Sequence, residues 1–325
     1  MSSVWAVIVN FRTGDLVEAS LRTLASEVKA VSNLRVVVID GGSGDGSAEQ
    51  LRSVIDADSF GGWVELHALA TNRGFAAGNN FAIRPLLNYA TPPQYVLLLN
   101  PDTEMRPGGI QALVEFMEAH PKVGIAGSRL EDPDGTPQRS AFRFPTVASE
   151  FESGMRLGVV SRLLSQYVVA PPIRDEAHLT DWVAGASMMI RWSVIESIGL
   201  LDEHYFLYYE ETDYCLQARR AGWECWYVPS SRVVHLVGQS SGITNPNNRP
   251  KRMPKYWFDS RRRYYHKNYG MLYMVLASAA WLLGHVVWRV RASIQRKPDE
   301  LPAYFLRDFV RHTFFPPNVR ERSKA

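Results

Sequence analysis

Acidic side chains follow short apolar runs at several places in the sequence, and these are the residues that could do chemistry. Asp102 comes directly after the run Tyr95 to Leu99, in the stretch Tyr-Val-Leu-Leu-Leu-Asn-Pro-Asp-Thr-Glu. Five apolar residues without alternation are typical of a strand covered on both faces, so this carboxylate lies just past a strand's carboxyl end. Ligands of open α/β sheets collect at that edge. A plain turn is the alternative, because Asn, Pro and Asp all favour turns.

A second group of carboxylates opens a predicted helix that is closed by Gly222. The group consists of Glu210, Glu211 and Asp213. Acidic residues in a first helical turn are favoured by the helix dipole, which is a purely structural explanation. Four of the five residues at 205–209 are aromatic, however, and would surround the carboxylates with apolar surface. Desolvation would then raise a carboxyl pKa toward that of a general base.

Asp40 ends the predicted strand Leu34 to Ile39 and precedes the glycine-rich loop 41–47. The loop nearly matches a dinucleotide fingerprint but lacks its third glycine, and no Walker sequence occurs. A nicotinamide or flavin cofactor and an ATPase of the Walker class are therefore disfavoured. Asp40 could accept the imide hydrogen of a pyrimidine base, or it could cap the following helix.

The segment 72–80 reads Asn-Arg-Gly-Phe-Ala-Ala-Gly-Asn-Asn. Its two glycines permit close approach of a ligand to the backbone, and Arg73 with the amide side chains offers donors to an anion. A glycine and asparagine loop that only caps a helix is the alternative.

Two later positions carry the same ambiguity between binding and packing. The small residues at 184–187 follow Trp182 and leave room for a substrate against the backbone, although tight strand packing explains them equally well. His235 could face the anionic end of a ligand or be a satisfied buried histidine.

Strand and helix patterns alternate along the first half of the chain. Strands are predicted at 4–9, 34–39, 63–69, 95–99 and 123–127, and the helical patterns include 16–24, a helix from about residue 48, and 112–119. Successive strand and helix units predict an α/β fold with a right-handed, mostly parallel sheet. Residues 130–144 are expected to be irregular, and residues 151–177 are interpreted as a mobile loop or lid.

Composition describes an ordinary globular protein of 325 residues, with 46% hydrophobic residues and a net charge of +3. The mild charge predicts no nucleic-acid partner. Cys215 and Cys225 are too few for a disulfide framework, which fits a reducing compartment, and small core residues are their simplest reading. The N-terminus shows no secretory pattern, so a cytoplasmic catalytic body is expected.

The C-terminal quarter mixes basic and aromatic residues over 255–291, as suits a membrane surface with anionic head groups. RNA would use similar residues, but no RNA-binding motif accompanies them. Residues 271–288 carry no charge and reach about 27 Å as a helix, just short of a hydrocarbon core. Because both ends are basic, a helix or hairpin lying in the interface is preferred over a span. A hydrophobic arm docked on a second subunit of a homo-oligomer is a third reading.

Six motifs in order resemble those of the family 2 glycosyltransferases. They are Val7-Ile-Val-Asn-Phe11, Asp40 with its Gly/Ser loop, Asn72-x-Gly74-Phe75-x-x-Gly78-Asn79, Leu98-Leu-Asn100-Pro101-Asp102, Gly185-Ala-Ser187 and Tyr209-Glu-Glu-x-Asp213. Their order is closest to the bacterial rhamnosyltransferase branch, which His235-x-x-Gly238-x-Ser240 also fits. The resemblance covers roughly residues 4 to 270.

The resemblance implies a GT-A fold, Rossmann-like, with a catalytic domain over 1–245 and a helical extension over 246–325. Residues 1–105 would form the nucleotide-sugar half and residues 106–245 the acceptor half. It further implies a nucleotide-diphosphate sugar donor, in this branch dTDP-L-rhamnose, with Mg²⁺ or Mn²⁺. The implied acceptor is a polyprenyl-diphosphate-linked glycan of cell-envelope polysaccharide synthesis, reached by an enzyme bound peripherally at the cytoplasmic face of the membrane.

The resemblance also implies residue roles. Glu211 matches the general base, with Glu210 and Asp213 beside it, and the outcome is inversion. Asp102 and His235 would hold the metal, although Asn100 stands where many members have an acid. The implied donor-binding residues are Asn10, Phe11, Asp40, Asn72, Arg73, Gly74, Gly78, Asn79, Asn100, Asp102, His235 and Arg261. The implied acceptor-binding residues are Trp182, Gly185, Ala186 and Ser187.

Three rivals remain at this level. One is a glycosyltransferase that uses another UDP-, GDP- or dTDP-sugar. A second is a non-catalytic nucleotide-sugar-binding membrane scaffold, which the presence of both Asp102 and Glu211 disfavours. A nucleotidyltransferase is the third, and it would release pyrophosphate instead of a nucleoside diphosphate.

Overall fold

A computed structural model provides the structure and describes residues 2–31, 33–57, 60–237, 252–298 and 301–315. The strands are β1 (Ser3–Asn10), β2 (Asn33–Asp40), β3 (Val64–Ala68), β4 (Tyr95–Leu99), β5 (Thr103–Met105), β6 (Val123–Glu131), β7 (Ala141–Phe142), β8 (His178–Thr180), β9 (Trp182–Val183), β10 (Ser187–Arg191) and β11 (Glu224–His235). The helices are α1 (Gly14–Ala30), α2 (Ser47–Ala57), α3 (Phe75–Ile83), α4 (Gly109–Ala119), α5 (Val147–Met155), α6 (Gly158–Leu163), α7 (Trp192–Ile198), α8 (Glu210–Arg220), α9 (Lys255–Ile294) and α10 (Phe305–Phe314).

Nine strands form one sheet in the order β3-β2-β1-β4-β10-β6-β11-β5, and β8 joins it by pairing with β11. The pairs β2–β3, β1–β2 and β1–β4 are parallel, as predicted. Beyond β4 the sheet is mixed, because β10 runs antiparallel to both of its neighbours while β11 is parallel to β6. The predicted parallel sheet therefore describes the first half of the fold.

All five residues of β4 are buried, which explains the unbroken apolar run. Side chains on one sheet face join the core of α1, α2 and α4, and those on the other face join a second core with α3, α7 and α8. The two free cysteines, Cys215 and Cys225, are both buried, which agrees with their reading as small core residues.

Two predictions change in the structure, and one further strand continues through a proline. Helices α5 and α6 occupy most of 147–163, so the interpretation of 151–177 as a loop is wrong over that part. Strand β6 continues past residue 127 to Glu131. The segments on either side of Pro229 belong to one strand, β11, whose register against β6 shifts between Val228 and Arg232.

The first part of the C-terminal extension is built into the catalytic body. Tyr264 and Tyr265 of α9 are fully buried in the same core as β1, β4 and α8. Gly270 has φ 88° and interrupts α9, so a second helical segment follows it. By length and composition alone, α9 could cross a membrane, with a mean hydropathy of 1.7 in its most apolar window.

Candidate active site

The ends of β1 and β2 meet at one edge of the sheet, where Asn10 pairs with Asp40 in register. Asp40 Oδ1 accepts hydrogen bonds from Asn10 Nδ2 at 2.7 Å and from the Ser43 hydroxyl at 2.5 Å. Asp40 is therefore buried and holds the glycine loop in place. It does not cap α2, whose first residue, Ser47, bonds through its N–H and hydroxyl to Asp45.

Phe11 lies at the rim of this edge and is 38% exposed. Arg12 stacks on its ring at 5.1 Å, and the Arg12 N–H and Nε both bond to Ser43. Arg12 thus joins the site although the motifs did not single it out; its only sequence signal is its place beside the Asn10 and Phe11 motif.

Asp102 is buried just past β4, and His235 at the end of β11 faces it, with 3.7 Å between His235 Nε2 and Asp102 Oδ1. Gln138 sets the histidine tautomer. Its Nε2 donates to the His235 carbonyl and to Asp132, so its Oε1 must accept from His235 Nδ1 at 3.2 Å. The Nε2 lone pair of neutral His235 is therefore directed to the Asp102 side.

This donor set fits a divalent cation. Burial lowers the pKa of His235, which keeps the imidazole neutral and able to ligate. A carboxylate oxygen and an imidazole nitrogen that face each other suit Mn²⁺ better than Mg²⁺, which prefers oxygen alone. No group of three or more acidic, histidine or cysteine ligands occurs among the described residues, so diphosphate oxygens and water would complete the coordination. Gly238 and Ser240, which follow His235 in the motif, lie outside the described residues.

The 72–80 segment joins this edge to the chain before α8. Gly74 has φ 88°, and a Cβ there would lie 2.0 Å from the Phe206 carbonyl, so glycine is required. Phe75 N donates to that same carbonyl, and Asn72 Oδ1 accepts from Gly74 N.

The other polar side chains of this segment serve packing. Arg73 is exposed and pairs with Glu203 at 3.0 Å, and Asn79 bonds to the Phe75 carbonyl. The space of Gly78 is filled by the Val9 side chain of β1. The structure therefore does not bring Arg73, Gly78 or Asn79 to the Asp102 edge as donor ligands.

Helix α8 begins after two strained residues. Tyr208 and Tyr209 have φ of 71° and 68°, in the left-handed region that residues with side chains rarely adopt. Such strain is found where a structure fixes functional groups. Here the turn places Glu210 and Glu211 in the first turn of α8, as the helical pattern predicted.

The two glutamates differ in their surroundings. Glu210 is 3% exposed, and burial together with the neighbouring Glu211 raises its pKa well above the ordinary value. Burial raises the pKa of Glu211 to about 7. Glu211 is partly accessible because it lines a cavity of about 310 Å³ that also includes Trp182. Burial and Glu211 thus both disfavour the ionised form of Glu210, and Glu211 can exchange a proton near neutral pH.

Asp213 faces away from this cavity. Its Oδ2 pairs with Lys267 of α9 at 2.6 Å, and its Oδ1 accepts from Asn268 at 2.7 Å. The prediction that placed Asp213 with the catalytic carboxylates is therefore corrected, because the residue links α8 to α9.

The loop before β10 connects the two parts of the site. Ala186 accepts a hydrogen bond from Asn100 N at 3.1 Å, which binds this loop to the Asp102 turn. A Cβ on Gly185 would lie 3.7 Å from Glu211 Cβ, so the same loop borders the glutamate. Ser187 is instead buried and bonded to Ser128, which places it in the core and not at the acceptor side.

Arg261 belongs to the Glu211 side of the molecule. It is 2% exposed, pairs with Glu150 at 2.9 Å and bonds to Ser278 at 2.9 Å. Its predicted role in donor binding is not supported, since it lines the same cavity as Glu211 and is neutralised there. The sequence also missed Gln138, which lies 97 residues before the histidine that it orients and carries no motif.

Comparisons with known proteins give matches to glycosyltransferases. Residues 95–310 match glycosyl transferase family group 2, and residues 5–162 match glycosyl transferase family 2. An N-acetylglucosaminyl-diphospho-decaprenol L-rhamnosyltransferase of Mycobacterium tuberculosis is 27% identical over 247 residues, which cover 73% of this chain and 76% of the relative. Rhamnosyltransferase WbbL of Escherichia coli is 27% identical over 171 residues, 50% of this chain and 61% of the relative.

A solved structure shows the same fold at lower sequence identity. The mannosyltransferase PcManGT from Pyrobaculum calidifontis, in complex with GDP-Man and Mn²⁺, has a TM-score of 0.56 and 15% identity. The match covers 93% of this chain and 77% of that one. It confirms the predicted GT-A architecture.

Proposed function

The chain belongs to the family 2 glycosyltransferases, in their rhamnosyltransferase-like branch, and we propose that it moves L-rhamnose from dTDP-L-rhamnose to a lipid-linked glycan. The acceptor would be a polyprenyl-diphosphate-linked sugar of cell-envelope polysaccharide synthesis. The names of the relatives support the rhamnosyl group and the lipid-linked acceptor, since two of them are rhamnosyltransferases and one is named for an N-acetylglucosaminyl-diphospho lipid.

The observation that carries the proposal is the state of Glu211. A carboxyl with a pKa of about 7, in the wall of a cavity and beside the loop that contacts the Asp102 turn, suits a general base at neutral pH. Burial and the charge of Glu211 both raise the pKa of the neighbouring Glu210, which disfavours a second negative charge beside the base.

The chemistry is a single displacement. Glu211 takes the proton of an acceptor hydroxyl as its oxygen attacks the anomeric carbon of the donor sugar. The bond from that carbon to the diphosphate breaks, the nucleoside diphosphate departs with the electron pair, and the configuration is inverted.

Asp102 and His235 would hold the divalent cation, which when bound neutralises charge on the diphosphate of the leaving group. Asp40 fixes the edge on which the base would lie, and Phe11 offers it an exposed ring. Nucleic acid has no role in this proposal.

We assign the membrane contact to the second part of α9. Eight large apolar side chains there, Met271 among them, are between 40% and 79% exposed. Seven of the eight lie along one face of the helix and form what we call the apolar stripe: Leu272, Leu276, Leu283, Val286, Val287, Val290 and Ile294. The proposal places the protein on the cytoplasmic side of the membrane, where this stripe would meet the lipid that carries the acceptor.

A ligand panel tests the donor. We expect dTDP-L-rhamnose with Mn²⁺ to raise the melting temperature more than UDP- or GDP-sugars, since binding at one hundred times Kd stabilises by about 2.7 kcal/mol. Adding N-acetylglucosaminyl-diphospho-polyprenol should then release dTDP. Asp102→Asn is the matched control and should lose the metal-dependent part of the shift. A protein that responds to no nucleotide sugar would contradict the proposal.

A further inference from the structure

The cavity beside Glu211 is walled largely by aromatic rings. It measures about 310 Å³, at the lower end of the range for small-molecule sites. Six aromatic side chains line it: Trp182, Tyr208, Tyr209, Trp257, Trp281 and Phe309. Three of these, Trp257, Trp281 and Phe309, come from α9 and α10, which lie outside the strand-end motifs.

Among the described lining residues, the charged side chains other than Glu211 are paired with an opposite charge. Arg261 is the one cation among the described lining residues, and it pairs with Glu150 while stacking on Tyr265 and Phe309. Glu150 also accepts a hydrogen bond from Tyr265 at 2.5 Å. Glu211 Oε2, by contrast, is enclosed without a hydrogen-bond partner among the described residues.

The aromatic wall, the paired Arg261 and the Glu211 oxygen without a described partner together determine which kind of ligand fits the cavity. A diphosphate would need cations that are not already paired, and the described part of the wall provides none. An uncharged ring with apolar C–H faces and a hydroxyl fits better, because the faces can pack on aromatic rings and the hydroxyl can donate to Glu211.

We infer that this cavity is the acceptor subsite, and that it takes one uncharged sugar ring whose reacting hydroxyl is bonded to Glu211. The C-terminal helices supply its outer wall. Helix α10 is fixed there by Arg252, which bonds to Asp308 at 2.6 and 2.7 Å, and by the tilted ring contact of Trp281 with Phe309 at 4.8 Å between ring centres. The inference rests on the proposed function and extends it to a defined set of acceptor contacts.

Two phenylalanines one turn apart on α10 give a matched test. Phe309 lines the cavity, whereas Phe305 packs in the same aromatic cluster without lining it. Phe309 is fully buried and supports the lining ring of Trp281, so Phe309→Leu acts on the acceptor through that wall, and we expect the acceptor KM to rise roughly three- to ten-fold. Phe305→Leu should raise that KM less than Phe309→Leu does, because Phe305 packs on the lining rings of Trp257 and Trp281 without lining the cavity itself. Both variants should keep the wild-type thermal shift with dTDP-L-rhamnose and Mn²⁺.

Trp257→Leu serves as a second cavity variant should Phe309→Leu fold poorly, because Trp257 is only partly buried. The acceptor is N-acetylglucosaminyl-diphospho-polyprenol at saturating donor. Unchanged acceptor KM in Trp257→Leu and Phe309→Leu, with normal wild-type transfer, would overturn the subsite alone. Absence of donor binding and transfer in the wild type would overturn the proposed function instead.

Discussion

At the scale of single residues, the candidate site contains two adjacent carboxyls, Glu210 and Glu211, that differ in burial and in access to the cavity. Glu210 and Glu211 are neighbours in sequence and both are desolvated, yet only Glu211 opens on the cavity. Burial and the charge of Glu211 raise the pKa of Glu210 well above its ordinary value, so ionisation of both carboxyls together is disfavoured. The left-handed turn at Tyr208 and Tyr209 sets this difference, because it fixes which carboxyl faces the cavity.

A substitution at Glu211 tests directly whether this residue, and not Glu210, is the general base. Glu211→Gln keeps the shape of the side chain and removes its proton acceptor, so turnover should fall at least about 100-fold. The donor-induced thermal shift should stay, because the cation side chains are untouched. Measurement of kcat and of the shift on one preparation separates the two effects, and full turnover would remove Glu211 from the mechanism.

The pH dependence follows from the same group. Glu211 acts as a base only when deprotonated, and its pKa is about 7, so kcat/KM should rise from pH 6 to pH 8 with its midpoint near 7. Stability runs the other way: the folded-state pKa lies above the ordinary 4.5, so ionisation destabilises the native state as pH rises from 4.5 through 7. Glu211→Gln should therefore melt higher than the wild type at pH 8 and equally at pH 4. A flat kcat/KM profile across pH 6–8 would contradict the assignment.

At the scale of elements, the parts predicted correctly are those whose signal is local. The strands β1, β2 and β4 carry buried runs that end at polar residues, so Asp40 and Asp102 could be placed at strand ends from sequence alone. Helix α5 could not. It has nine residues, and helices this short depend on tertiary contacts, which here come from α9 more than a hundred residues later. Its capping box between Thr146 and Ser149 was the local signal that could have revealed it.

Contacts between side chains that are distant in sequence could not be predicted from the sequence either. Gln138 orients His235, and Lys267 forms an ion pair with Asp213. No sequence motif contains both members of either pair, so neither contact could be predicted. The cavity beside Glu211 was missed for the same reason. Trp257 lies in the stretch 255–291 that was predicted to contact a membrane surface, and Phe309 belongs to no motif, but the fold brings both to the cavity that Glu211 lines.

The contact of α5 with α9 depends on two glycines. A Cβ on Gly284 would lie 2.4 Å from the Phe151 carbonyl, and one on Gly154 would lie 2.4 Å from the Trp281 carbonyl. Backbone atoms cannot move aside as a flexible side chain can. Gly284→Ala should therefore push the helices apart, lower stability by roughly 1–3 kcal/mol and weaken acceptor binding, since both helices wall the cavity.

Gly158 provides the matched control for this substitution. It lies in α6, where a Cβ would meet open space, so Gly158→Ala should be neutral or stabilise by up to about 1 kcal/mol. Denaturant titration of both variants gives the comparison. Equal stability of Gly284→Ala and the wild type would mean that the helix contact relaxes without cost.

At the scale of the whole molecule, α9 joins the catalytic body to the surface that would meet lipid. Beyond Gly270, one face of α9 is buried against the body through Met274, Trp288 and Ala292, and the apolar stripe occupies the opposite face. A spanning helix would present apolar side chains to lipid around most of its circumference. A helix docked along one face, with its other face apolar, is the arrangement expected of a protein that lies on a bilayer.

Flotation with vesicles tests this arrangement, with substitutions instead of a deletion because removing α9 would strip buried Tyr264 and Tyr265 from the core. The triple variant Leu276→Ser, Leu283→Ser and Val290→Ser removes apolar area from the stripe, and should reduce binding to phosphatidylglycerol-containing vesicles at least about ten-fold. A control with Phe81, Leu87 and Leu179 replaced by Ser alters three comparably exposed apolar side chains away from α9 and should float as the wild type does. If the stripe variant floats equally well while both variants melt like the wild type, the stripe does not bind lipid, and the acceptor must reach Glu211 without membrane contact through α9.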